Sequence, residues 1–221
     1  MKKPIDLDGC GISDQLKLIE KCIKNEPNVH FYRHAIFSLI TIKYISDAFD
    51  LLTHKNTLSN LEYSHLTSSY QVNNLCNENW PDDLTKFHQQ KALWVPKKSH
   101  WSTLYLKICK SQTLCKRRLS ETSMPEASIA HIIDEALLAI EDSNFLKQGI
   151  FYPISRYPLD DDKLHQLVHI FAGLNFTQQM EIAQQSNREC IGGFRYVYEK
   201  YSKMFPEKHS SILQIEQVLE L

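Results

Sequence analysis

Apolar positions recur every three or four residues along most of the 221-residue chain, the period of a helix with one face turned to a core. Between residues 12 and 25, Ile12, Leu16, Ile19 and Ile23 make one such stripe. Glu26-Pro27-Asn28 closes it, because the residue before a proline is pushed out of the helical region. Residues 31–53 follow as the most apolar segment. Phe37, Ile40, Tyr44, Ala48 and Leu51 form its stripe, and Ile36, Leu39 and Ile45 widen it until most of the circumference is apolar. That breadth predicts a central helix. Lys43 and Asp47, four residues apart, are expected as an ion pair on its remaining exposed edge.

From His54 to Gln90 the chain turns polar, with short helices predicted over Leu58–Tyr70 and Asp82–Gln90. Leu93-Trp94-Val95-Pro96 is a short apolar run cut off by proline. Ser99 is then placed to cap a helix through Lys110 with Trp101, Leu104, Tyr105 and Ile108 at helical spacing. Residues 111–122, carrying Cys115-Lys116-Arg117-Arg118, read as a loop. Ser123-Met124-Pro125-Glu126 has the form of a capping box with proline in the first turn. It would open a helix to about Glu141, with Ile129, Ile132, Ile133, Ala136, Leu137 and Ile140 on its buried face. Two prolines make Phe151–Pro158 an ordered loop or a short extended piece. Asp160-Asp161-Asp162 places negative charge where a helix N-terminus favours it, ahead of Leu164, Leu167, Val168 and Phe171. Thr177 begins a further short helix, and Ile191–Met204 and His209–Leu219 complete the count. The pattern predicts an all-α protein, an irregular helical bundle of about eight helices without internal repeat or interior linker. One domain spans residues 1–205, and 206–221 form a C-terminal helical tail.

Composition narrows the function more than the fold. Only 6 glycines and 8 prolines argue against an all-β sandwich or barrel, which needs many tight turns. The six cysteines are scattered without a CxxC pair and read as reduced thiols. The N-terminus has two lysines but no apolar core, so it does not read as a signal peptide. No stretch approaches the ~20 apolar residues of a membrane span, and a cytoplasmic location is expected. The formal charge of −1 gives no global positive field, so any contact with DNA must come from a local patch.

Three segments resemble the modification (M) subunits of type I DNA restriction-modification enzymes. Lys43-Tyr44-Ile45-Ser46-Asp47-Ala48-Phe49-Asp50 repeats almost letter for letter the family's signature helix, Leu-Lys-Tyr-Ile-Ser-Asp-Ala-Phe-Glu. Leu93–Leu104, LWVPKKSHWSTL, resembles Phe-Trp-Val-Pro followed by Arg-Trp and Leu. Ile132–Phe171 resembles the Asp-Ala-Met-x-Ala-Ile-Glu helix, a Leu-Lys-Gly-Val loop, a Tyr-x-x-x-x-Leu-Asp run and the Leu-x-x-Leu-Ile helix after it. Order and spacing agree across the three segments. Two departures stand out. Near Ile191–Lys200 the family's closing Gly-Arg-x-Tyr-Glu-Tyr pattern keeps Tyr198-Glu199, but its glycine stands two residues farther off. The family also continues into a Rossmann-like methyltransferase domain, whereas this chain ends at Leu221 in a polar helical tail.

The resemblance implies the N-terminal assembly and DNA-clamping domain of an M subunit, supporting adenine-N6 methylation of DNA together with a specificity (S) subunit and other M subunits. The catalytic domain is expected to be absent. Neither the glycine-rich loop that approaches S-adenosylmethionine nor an Asn-Pro-Pro loop for a flipped base is present, since no proline follows an asparagine. No catalytic, cofactor-binding or metal residue is therefore expected, and S-adenosylmethionine would bind the missing domain. The candidate contacts to duplex DNA, weak on its own, are the basic residues Lys97, Lys98, His100, Lys107, Lys110, Lys116, Arg117 and Arg118, almost without acidic neighbours. His165 and His169 have the spacing of a helical metal pair but lack the zinc-protease arrangement and read as two exposed histidines. Asp160–Asp162 reads as a helix start rather than a cation site. Trp94, Trp101, Tyr44 and Phe49 read as core or interface. Two alternatives stand beside this reading: a free-standing interaction module or regulator mimicking the M-subunit domain, and the inactive fragment of an interrupted gene.

Overall fold

The middle of helix α2, Val29–His54, is enclosed by the rest of the protein. In this computed structural model, which describes residues 12–24, 26–54, 80, 84–89, 91–117, 128–174 and 193–202, every residue from Phe37 to Ser46 is buried. A helix apolar all round has no solvent face to keep and must be surrounded. Around it pack α4 (Trp101–Arg117), α5 (Ile129–Ser143), α6 (Asp161–Ala172) and α7 (Gly193–Ser202). Helix α1 (Ile12–Ile23) lies against α6, and a short α3 (Leu84–Gln89) precedes an extended stretch and a 3-10 turn at Lys97–Ser99. The described residues are thus all-helical, without a strand.

The burial of α2 corrects one expectation. Lys43 and Asp47 do pair, with Lys43 Nζ 2.7 and 2.6 Å from the two carboxylate oxygens, but the lysine side chain is only 7% exposed. The edge that looked solvent-facing is covered, so the charges neutralise each other inside the protein. Thr41, also buried, returns its hydroxyl to the Phe37 carbonyl at 2.7 Å.

Two helix starts also differ. Helix α5 begins at Ile129, where Ser128 accepts a hydrogen bond from the His131 amide; Ser123–Glu126 lies outside the described residues. Ser99 does not cap α4. It lies buried in the 3-10 turn, and the His100 ring takes the capping place, its Nδ1 accepting from the Ser102 amide at 3.4 Å. Helix α4 then runs seven residues beyond the predicted Lys110 to Arg117, so Cys115, Lys116 and Arg117 are helical rather than in a loop. At the start of α6 the expectation holds: Asp160 accepts from the Lys163 amide, with Asp161 and Asp162 in the first turn. The helices predicted at Leu58–Tyr70, from Thr177 and over His209–Leu219 lie outside the described residues.

Polar side chains tie distant segments to backbone. Asn144, buried just after α5, accepts from the Trp94 amide at 2.7 Å and donates to the Trp94 carbonyl at 2.8 Å, pairing with that residue as a neighbouring strand would. Glu141 accepts from the Phe151 amide at 2.7 Å, and Asp134 accepts from the amides of Ile154 and Ser155, both at 2.8 Å. These bonds hold the two-proline loop as an ordered turn, as expected. Tyr201 of α7 is fully buried, edge-on to Tyr44 at 5.7 Å, and its hydroxyl accepts from the Leu93 amide at 2.9 Å. The displaced glycine has its own use here: a Cβ on Gly193 would run into the Phe151 ring.

Candidate nucleic-acid interface

The basic candidates follow α4 and the turn before it. Pro96 ends the extended stretch, and the turn it begins leaves Lys97 and Lys98 exposed while Ser99 and His100 point inward. Trp101, Leu104 and Ile108 form the buried face of α4, which leaves Lys107 and Lys110 on the outside. Lys116 and Arg117 fall in the last turn, and Arg118 lies outside the described residues. At 1.5 Å per residue, the basic residues of α4, from Lys107 to Arg117, spread over about 15 Å of its length, a line rather than a compact patch.

His100 does not belong to that line. Only 2% exposed, it sets Nε2 3.2 Å from Asp50 Oδ1 and stands edge-on to Trp80 at 5.3 Å. Its Nδ1 is turned to Ser102 and its Nε2 to Asp50. It is a capping and core residue, so a phosphate outside has no access to it. Lys107 is exposed, but Glu135 of α5 stands 3.4 Å away. The cluster therefore has an acidic neighbour that only the fold reveals. Tyr44, Phe49 and Trp101 are buried and Trp94 half-buried, which leaves no base-stacking platform among them.

Two groupings were not visible in the sequence. Where α2 starts, Phe31 and His34 stack on Tyr157 at 4.5 and 4.8 Å, and Arg156 lies over the ring of Tyr152. Here burial and the neighbouring Arg33 and His30 lower the His34 pKa below its ordinary value. On the side of α4 facing α6, Tyr105 and Cys109 meet His169, the Tyr105 hydroxyl lying 3.0 Å from Nδ1. Burial lowers the His169 pKa, raises that of the Cys109 thiol and pushes Tyr105 up to about 12. His169 is exposed as expected, while His165 is half-buried. The contacts of Tyr157 with Phe31 and His34, and of His169 with Tyr105 and Cys109, join residues 60 or more positions apart, so only tertiary packing assembles them. Among the described residues Phe145 is the most exposed large apolar side chain, 82% exposed, and it holds the left-handed position, φ 52°, that ends α5.

No family profile matches the chain, and no curated protein matches it significantly. No helix among the described residues is long and apolar enough to cross a membrane.

Proposed function

We propose that the chain is the assembly and DNA-clamping domain of a type I modification methyltransferase, acting with a specificity subunit and other M subunits to support adenine-N6 methylation. One observation carries this reading. The stretches that resemble the family are far apart in sequence and join one another in space through the very residues that make up the motifs. Ser46 of the signature helix accepts from the Trp101 amide at 2.9 Å, and Asp50 faces His100. Trp94 of the second stretch is held by Asn144, and Glu141 of the third holds its own following loop. Motif residues with such internal duties describe a scaffold that presents its surface to partners. The line of Lys97, Lys98, Lys107 and Lys110 would meet phosphates, contacts that position a protein on DNA without reading sequence.

Anisotropy of a labelled duplex, titrated with salt, tests the DNA contact. Three or four phosphate contacts give a log–log slope of about −3 to −4. Replacing Lys97, Lys98 and Lys110 by Ala should flatten it by roughly two to three units, since each lysine removes about one counterion. A companion variant with Lys116, Arg117 and Arg118 changed to Ala extends the test to the end of α4. Size-exclusion chromatography with a specificity subunit and an M subunit stripped of its own helical domain tests assembly, with co-elution expected. Equal slopes and separate elution overturn the reading. Equal slopes with co-elution favour a protein-interaction module, towards which the exposed Phe145 ring points.

A further inference from the structure

Where α4 packs on α6, two pairs of residues one turn apart face each other: Tyr105 and Cys109 on α4, His165 and His169 on α6. Cys109 Sγ lies 3.9 Å from His169 Nε2. The thiol and one ring nitrogen from each histidine all fall within 4.8 Å of one another. The two imidazoles are 4.4 Å apart, centre to centre, at 73°. We propose that Cys109, His165 and His169 form a binding site for a thiophilic divalent ion of the zinc type, with water as the fourth ligand.

The donor set selects the ion. One thiolate and two imidazoles suit borderline-soft metals, whereas magnesium and calcium require oxygen ligands. Zinc bonds of about 2.3 Å to sulfur and 2.0–2.1 Å to nitrogen, at tetrahedral angles, place donors roughly 3.4–3.6 Å apart. The side chains here need to close by roughly an ångström, within rotamer adjustment at a half-exposed surface. The neighbouring tyrosine fits as well. With the ion on His169 Nε2, Nδ1 carries the proton and donates it to the Tyr105 hydroxyl, 3.0 Å away, which fixes tautomer and ring orientation. Tyr105 is thus a positioning residue. The Cys109 thiol gives its proton to solvent as the sulfur–metal bond forms. Cys22 does not compete at this spot: its thiol points to the Lys163 carbonyl and Gln166, another part of α6. An ion here would lock α4, the basic helix, to α6. The site stands independently of the proposed function.

The test is a titration of the reduced full-length chain with cobalt(II) under anaerobic conditions, followed by zinc in competition. One equivalent of cobalt should give the near-ultraviolet thiolate charge-transfer band and the intense visible bands of four-coordination, and zinc should erase both. Cys109→Ser should abolish the charge-transfer band, and His165→Gln should weaken binding about tenfold or more. Tyr105→Phe should weaken it roughly 10–100-fold while leaving the shape of the spectrum and the metal-free melting temperature in place. Only the faint spectrum of hydrated cobalt in the wild type, or an undiminished charge-transfer band in Cys109→Ser, overturns the site. If Cys109→Ser does not fold, His165→Gln decides: unchanged affinity also overturns it.

Discussion

Lys43 illustrates how far a single residue's surroundings escape the sequence. Its spacing to Asp47 marked an ion pair, and the pair exists, yet which side of α2 faces solvent depends on helices that follow far along the chain. A charge pair this dry is costly to break singly and cheap to remove whole. Lys43→Met alone should lower stability by about 3–5 kcal/mol, because it strands the Asp47 carboxylate in the interior. Changing both, Lys43→Met with Asp47→Leu, should recover most of that loss in urea denaturation. A double variant no more stable than the single one would show that the pair is held for its attraction. His100 teaches the same lesson at the candidate interface. Surrounded by lysines in sequence, it counts as a surface cation, but Asp50, 50 residues earlier, turns it inward.

At the level of elements, periodicity was a reliable guide wherever one face of a helix meets the core. The stripes of α2, α5 and α6 are buried at the described positions where the apolar spacing placed them, apart from the half-buried Ile36, and on α1 Ile19 is buried while Ile23 is half-buried. Ile40, fully buried on α2, should cost ~2–5 kcal/mol when changed to Ala, as measured by the shift of the thermal or urea transition. An unshifted transition would mean that α2 is peripheral. Ends were harder to read than faces. A serine with an acidic residue three places on looks like a cap wherever it occurs, and Ser123 drew attention from Ser128, which has no glutamate partner. The basic run at residues 115–118 suggested a loop because it lacks apolar residues, but a helix already anchored by Trp101, Leu104 and Ile108 needs no apolar stripe in its last turns. The candidate interface was therefore legible as a list of charges and not as a shape. The cluster of Cys109 with the two histidines was legible only as an i, i+4 pair, because its third member comes from another helix.

Taken as one molecule, the protein should respond to mild acid. His34 and His169 titrate below the ordinary histidine value, chiefly because burial disfavours their charged forms. Between those lowered values and about 6.5 the unfolded chain holds more protons than the folded one, so stability rises with pH across that window. Urea midpoints should fall on going from about pH 7.5 to about pH 5.5, above the carboxylate range. Replacing both histidines by Gln should flatten that slope; a midpoint that rises on acidification would contradict the lowered pKa of these rings. The same closed architecture sets a timetable. Helix α2 leaves the ribosome ahead of α6 and α7, which cover it and follow more than a hundred residues later. Tyr32 awaits the Asp160 amide, 128 positions on, and Leu93 awaits Tyr201, 108 positions on. At roughly 5–20 residues per second, the most apolar helix stays uncovered for on the order of ten seconds during synthesis. For that interval the nascent chain presents an oily rod to the cell, a surface open to whatever binds apolar helices until α7 closes over it.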